Sequence, residues 1–186
     1  MKNNLILETA HQLLSNYIKS TDIMIDATMG NGNDTVFLAK HAKYVYAFDI
    51  QQQALIETKK ALELSNLHNV KLILDSHEKI NDYISDFKGI VFNLGYLPKG
   101  DKSITTTSDV TIKTIISLLP KLKVEGFIML VVYTGHQAGM DESIAIDQYL
   151  QSLNQSQFKI LKINLPYQDN KPPYILFIQK VKDESN

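Results

Sequence analysis

The spacing of apolar and polar positions changes period repeatedly along this chain. Leu5, Ile6, Ala10, Leu13, Leu14, Tyr17 and Ile18 recur at helical intervals and predict an opening helix over about 5–19. Thr21 and Asp22 interrupt it, and a short apolar run at 23–25 then reads as a buried strand entering Asp26. A helix is expected from Asn33 or Asp34, carrying Val36, Phe37, Leu38 and Ala39. A strand over 44–48 follows and ends at Asp49. A helix over 52–65, a strand over 70–74 ending at Asp75 and a short helix over about 78–85 come next. The strand at 89–92 runs into Asn93. Ser108 or Asp109 caps a helix that runs to Leu119, where Pro120 stops it. A strongly apolar strand is expected over 127–133 and a helix over 141–153. Strands over 158–165 and 174–181 are joined by a loop too short for a helical crossover, so they should pair antiparallel.

Strands alternating with helices imply a doubly wound α/β sheet with ligands at the carboxyl ends of the strands. Five parallel strands closed by an antiparallel hairpin is the pattern of class I methyltransferases, Rossmann-like in layout. A dehydrogenase would more often continue its parallel units. One domain spanning 1–186 is expected, because 186 residues suit a single full core and neither repeats nor linkers interrupt them.

Composition narrows the function classes. Hydrophobic residues make up 44% and charged residues 21%, which excludes a disordered tail, and no apolar run nears the roughly 20 residues of a membrane span. Glu8 and His11 sit inside the first apolar pattern, which reads as an amphipathic helix and not a signal peptide. Cysteine is absent, so disulfides, thiolate metal sites and cysteine nucleophiles are excluded, no metal site is expected, and a cytoplasmic location is the default. Net charge is −1 and all 19 basic residues are lysines. No broad basic field advertises nucleic acid, and any phosphate contact falls to lysine, hydroxyl or backbone N–H.

The candidate chemistry lies at the strand ends. The stretch "DATMGNGNDT" follows a strand and opens a helix, and Gly30 and Gly32 permit a tight turn with close approach of a ligand. Asp34 and Thr35 stand where dinucleotide enzymes often place a third glycine. An acid there suits a cationic ligand such as S-adenosylmethionine better than a pyrophosphate. Asp49, 19 residues beyond Gly30, is placed to accept from a ribose diol, or else to cap the next helix. Asp75, Ser76 and His77 end the third strand, where they could reach an adenine amine or merely cap the helix at Glu78. Asn93 ends the fourth strand, across the cleft from the glycine loop. Its amide oxygen and the next carbonyl can accept from an NH₂ group and aim its lone pair, while Tyr96 can stack on a base. The alternative is a strand-end turn with Tyr96 as a lid. This Asn-x-x-aromatic corner resembles the Asn/Asp-Pro-Pro-Tyr/Phe signature of amino-group methyltransferases, with Leu94-Gly95 in place of the two prolines.

Taken together, "DATMGNGNDT", "YAFDIQ", "FNLGYLPKGDKSITT" and "VVYTGH" resemble the family labelled "putative rRNA methylases", which includes the MnmM (YtqB) group of bacterial tRNA methyltransferases. The resemblance implies an S-adenosyl-L-methionine enzyme, typically homodimeric. Its implied reaction converts the 5-aminomethyl group of 2-thiouridine at the tRNA wobble position to 5-methylaminomethyl. It implies cofactor contacts from Asp26, Thr28, Gly30, Asn31, Gly32, Asp34, Thr35, Asp49, Gln51, Asp75, Ser76, His77 and Asn93. On the substrate side, Lys99, Lys102 and Lys171 are expected to meet phosphates of the anticodon stem-loop. Ser103, Thr105 and Thr106 are expected to hydrogen-bond backbone or ribose. Tyr96, Tyr133 and His136 fall near the target base, with His136 a candidate acceptor of the amine proton. Each lysine alone also reads as a solvated surface charge. Methylation of rRNA or of a small-molecule amine is the near alternative; an NAD-dependent oxidoreductase and a non-catalytic RNA-binding module are the distant ones.

Overall fold

The computed structural model describes residues 4–95 and 108–183. Tyr96, Lys99, Lys102, Ser103, Thr105 and Thr106 lie outside the described residues.

The described elements follow in the order α1 (Leu5–Ser15), β1 (Ile23–Asp26), α2 (Asn33–His41), β2 (Tyr44–Asp49), α3 (Gln52–Leu64) and β3 (Val70–Leu74). Then come a 3-10 turn at His77–Lys79, α4 (Ile80–Tyr83), β4 (Gly89–Asn93), α5 (Ser108–Leu118), β5 (Phe127–Val132), α6 (Gln137–Gln151), β6 (Phe158–Ile163) and β7 (Tyr174–Lys180). They build one seven-stranded sheet in the order β3-β2-β1-β4-β5-β7-β6. The first five strands are parallel, while β7 runs antiparallel to both β5 and β6. This is the class I methyltransferase fold.

The apolar runs are continuous because both faces of the central strands are covered. Met24, Val91, Met129 and Val131 pack on one side with Ile6, Ala10 and Leu14 of α1, Leu38 of α2 and Leu62 of α3. The alternate residues Ile25, Ile90, Phe92, Ile128 and Leu130 pack on the other side with Ile80, Ile115, Leu118, Ile146 and Leu150. Among the described strands only β6, at the sheet edge, is exposed along most of its length, and Lys159 and Lys162 protect that edge from further strand pairing.

The expected elements are all present, with shifted ends. The opening helix stops at Ser15 and not near 19, because Tyr17 and Ile18 both turn back to the Leu14 carbonyl while keeping their apolar spacing. The sixth helix starts at Gln137 and not 141, because His136 caps it. The expected 78–85 helix is a 3-10 turn followed by a short α segment ending at Tyr83. The strand expected over 158–165 ends at Ile163.

The strand order reverses between β1 and its neighbours β2 and β4, so a crevice opens above their carboxyl ends. Asp26, Asp49 and Asn93 end these three strands.

Candidate active site

The loop from β1 into α2 is fastened at every turn. Met29 N–H donates to the Phe48 carbonyl at 2.9 Å, and Gly32 N–H donates to the Met29 carbonyl at 2.7 Å. Gly30 and Gly32 take φ of 50° and 82°, the left-handed region in which a side chain is strained. Gly32 also lies against α3: a Cβ there would stand 2.9 Å from Thr58 Cα. Thr58 Oγ1 donates to the Gly30 carbonyl at 3.1 Å, so α3 holds the loop by both shape and hydrogen bond.

Asp49 completes the cradle. Its Oδ2 accepts Gly30 N–H at 3.1 Å and its Oδ1 accepts Gln51 N–H at 2.9 Å. Burial raises its carboxyl above the ordinary range, and the N–H donors of Gln51 and Gly30 oppose that rise. Both oxygens keep a second lone pair, so the carboxylate can brace the loop and still accept from hydroxyls.

Two further acids lie deeper. Asp26 is fully buried, accepting from Thr28 N–H at 3.1 Å and from Thr35 Oγ1–H at 2.6 Å. Burial pushes its carboxyl up to about 7, and the neighbouring Asp34 carboxylate adds to the rise. Asp34 accepts from His11 Nε2–H at 2.7 Å through Oδ1 and from Asn93 Nδ2–H at 3.1 Å through Oδ2. Thr28 ties the β1 and β4 tips together, its Oγ1 accepting Asn93 N–H at 2.7 Å. The ring of Tyr133, at the end of β5, lies beside Gly95; a Cβ on Gly95 would stand 3.8 Å from it. Burial raises the Tyr133 phenol, with the Asp34 charge adding to the rise.

Several of the expected contact residues have partners within the protein. Thr35 is fully buried and donates to Asp26, bracing the loop from beneath. His77 is buried under α5, within 3.3 Å of Thr114 Oγ1 and edge-on to Phe92. Desolvation lowers its ring to about 4. Asp75 is taken up by Lys79 at 2.9 Å and by the Tyr83 hydroxyl at 2.9 Å, while Ser76 caps the 3-10 turn. His136 Nδ1 accepts Gly139 N–H at 3.0 Å. That bond uses Nδ1 as an acceptor, and Nε2 is buried. Asn31 is exposed on the loop, and Gln51 caps α3 with its backbone. Lys171 Nζ lies 4.0 Å from Met140 Sδ on the exposed loop between β6 and β7. His11 and Thr58 are the residues that the sequence did not point to. Each stands on a helix whose periodicity announces only packing.

Three carboxylates gathered around a glycine loop, with no guanidinium to balance them, favour a cationic ligand over a pyrophosphate. This donor set fits a sulfonium that also carries an ammonium group. Fold and loop together define a class I S-adenosylmethionine-dependent methyltransferase.

Comparison with known proteins is consistent. The profile of the family described as "Putative rRNA methylase" matches residues 45–179, and the chain belongs to that family. A protein from Streptococcus mutans, solved in complex with S-adenosylhomocysteine, is 41% identical with a TM-score of 0.88 over 97% of this chain and 99% of that one. An rRNA methylase from Streptococcus thermophilus is 32% identical, with a TM-score of 0.83 over 98% of this chain and 99% of that one. The chloroplastic tRNA (mnm(5)s(2)U34)-methyltransferase of Arabidopsis thaliana is 35% identical over 93% of this chain and 68% of that protein. S-adenosyl-L-methionine is the cofactor. Among the described residues, no helix is long and apolar enough to cross a membrane.

Proposed function

We propose that this methyltransferase acts on the aminomethyl group of 5-aminomethyl-2-thiouridine at the wobble position of tRNA, giving 5-methylaminomethyl-2-thiouridine. The observation that carries this reading is the 35% identity to a wobble-uridine tRNA methyltransferase along 93% of the chain. The strand-end geometry supports it. Asp34 takes the NH₂ side of the Asn93 amide, so the amide oxygen is the group left to accept an N–H from a primary amine. A neutral amide lends no charge that would hold the amine as ammonium.

The cofactor, when bound, supplies an activated methyl group on a positively charged sulfur. The chain's contribution is placement. Gly30, Gly32, Asp49 and Gln51 form the cradle for it, with Asn31 at the rim. Asn93 orients the amine, and Tyr133 walls the pocket beside Gly95. Tyr96 stacking on the uracil, and Lys99, Lys102, Lys171, Ser103, Thr105 and Thr106 holding the anticodon stem-loop, belong to the same proposal. So do one domain over 1–186, a homodimer and a cytoplasmic location.

The test is nucleoside mass spectrometry of tRNA from a strain lacking the gene, paired with methyl transfer by purified protein. The expected result is loss of 5-methylaminomethyl-2-thiouridine, accumulation of its 5-aminomethyl precursor, and restoration in vitro. Unchanged tRNA nucleosides, or methylation of rRNA instead, would overturn it.

A further inference from the structure

We propose that His11 is a positioning residue for the transfer step, acting through Asp34 to fix the Asn93 amide with its oxygen toward the substrate amine. The inference rests on the preceding assignment of Asn93 as the amine's acceptor. It adds a role for a helix that lies outside the alternating sheet units.

Three elements far apart in sequence meet here: α1 brings His11, the first turn of α2 brings Asp34, and β4 ends in Asn93. An ionised carboxylate has only acceptor sites. Asp34 can therefore bind Asn93 only through the NH₂ group, which selects one of the two amide orientations. The same rule requires a hydrogen on His11 Nε2, the atom 2.7 Å from Asp34 Oδ1. Asn93 is pinned a second time through its backbone N–H to Thr28 Oγ1. With main chain and amide both held, the side chain has no second rotamer that keeps these bonds.

The histidine is itself aimed. Its ring stacks on Phe37 at 4.1 Å between centroids and 11° between planes. Phe37 leans in turn on His41, 4.3 Å away, whose Nδ1–H donates to the Phe37 carbonyl. The helix that carries His11 is anchored by Ile6, Ala10 and Leu14, all buried. Asp34 is only 8% exposed, so water is a poor substitute for His11 as its donor. Without the ring, the carboxylate has to recruit another donor, and the amide it holds loses its fixed orientation.

The test uses the full-length protein and the variants His11→Ala, His11→Gln, Asn93→Ala and the double variant His11→Ala/Asn93→Ala. Gln keeps a donor where Nε2 stands. Under single-turnover conditions on aminomethyl-thiouridine tRNA, His11→Ala should slow methyl transfer about 10- to 100-fold, the scale of a misplaced reacting group. His11→Gln should recover most of the rate. Affinity for tRNA and S-adenosylhomocysteine should change by no more than about twofold. The double variant should be no slower than Asn93→Ala, because both changes break one chain. NMR supplies a readout free of substrate: the Asn93 side-chain NH₂ signals, identified by their loss in Asn93→Ala, should move in His11→Ala and return in His11→Gln. An unmoved Asn93 amide in His11→Ala, or rate losses that multiply in the double variant, overturns the positioning role. A wild-type rate in Asn93→Ala overturns the functional assignment instead.

Discussion

Gly32→Ala is the sharpest test of the packing between the glycine loop and α3. Two costs combine at this position. The residue sits at φ 82°, ψ 8° as the cap of α2, where a Cβ costs about 1 kcal/mol of backbone strain. The new carbon would also lie 2.9 Å from Thr58 Cα, 3.1 Å from its Oγ1 and 3.2 Å from its Cγ2. The nearest of these atoms is helix backbone and cannot swing aside, so α3 must slide and strain the Thr58 bond to the Gly30 carbonyl. Overpacking of this kind costs about 1–3 kcal/mol. The sum, about 3 kcal/mol, corresponds to a fall in Tm of about 6–12 °C for a chain of this size. Calorimetry should show S-adenosylhomocysteine binding weakened as well, since Gly30 and the Asp49 contact move with the loop. Gly32→Asn separates the two costs, because Asn tolerates the left-handed region but still carries a Cβ. It should recover no more than the backbone share. Gly135→Ala is the control: among the described residues nothing lies within 4 Å of its Cβ, so it should melt within about 2 °C of wild type. A Gly32→Ala protein with wild-type melting and binding would refute the close approach of loop and helix.

Removing the brace in Asp49→Ala takes two backbone donors from one carboxylate, about 1.5–3 kcal/mol. Calorimetry should show S-adenosylhomocysteine binding about 10- to 100-fold weaker; unchanged affinity would remove Asp49 from the cradle. The methyl donor should bind more tightly as pH rises from about 6 to 8, because a cation favours ionised Asp26, whose carboxyl stands at about 7. S-adenosylhomocysteine lacks the sulfonium charge and should show a shallower slope; equal slopes would count against the acidic cluster. For His77 the folded ring titrates at about 4 against an ordinary 6.5, so the unfolded chain takes the proton first and stability falls as pH drops through that window. The loss approaches about 3 kcal/mol near pH 4. Asp26 acts with the opposite sign, since its raised carboxyl favours the fold below pH 7, and the whole-protein profile therefore understates His77. The measurement is the difference in urea midpoint between wild type and His77→Phe, at pH 4.5 and at pH 7. Parallel pH profiles for the two proteins would disprove the buried neutral ring.

The sequence by itself determined the layers and the level of the site. Apolar runs at 23–25, 89–92 and 127–132 are continuous because helices cover both faces of the central strands, and that burial is written residue by residue. Acids and an amide directly after such runs mark strand ends, which is how Asp26, Asp49 and Asn93 were legible. The glycine spacing was legible too, because positive φ is a property of single residues. Element ends were less so, since Tyr17 and Ile18 keep helical spacing after the helix has stopped. Assignment of partners was decided only by the tertiary structure. Asp75, Ser76 and His77 stand at a strand end just as Asp49 and Ile50 do. Yet Lys79, Tyr83 and Thr114 engage Asp75 and His77, and Ser76 caps its own turn. His11 is the converse case, an ordinary member of an amphipathic helix until packing of α1 brings it to Asp34. A local pattern fixes which face a residue presents, because backbone geometry repeats over a few positions. What that face meets depends on contacts between distant segments, which exist only once the sheet has assembled.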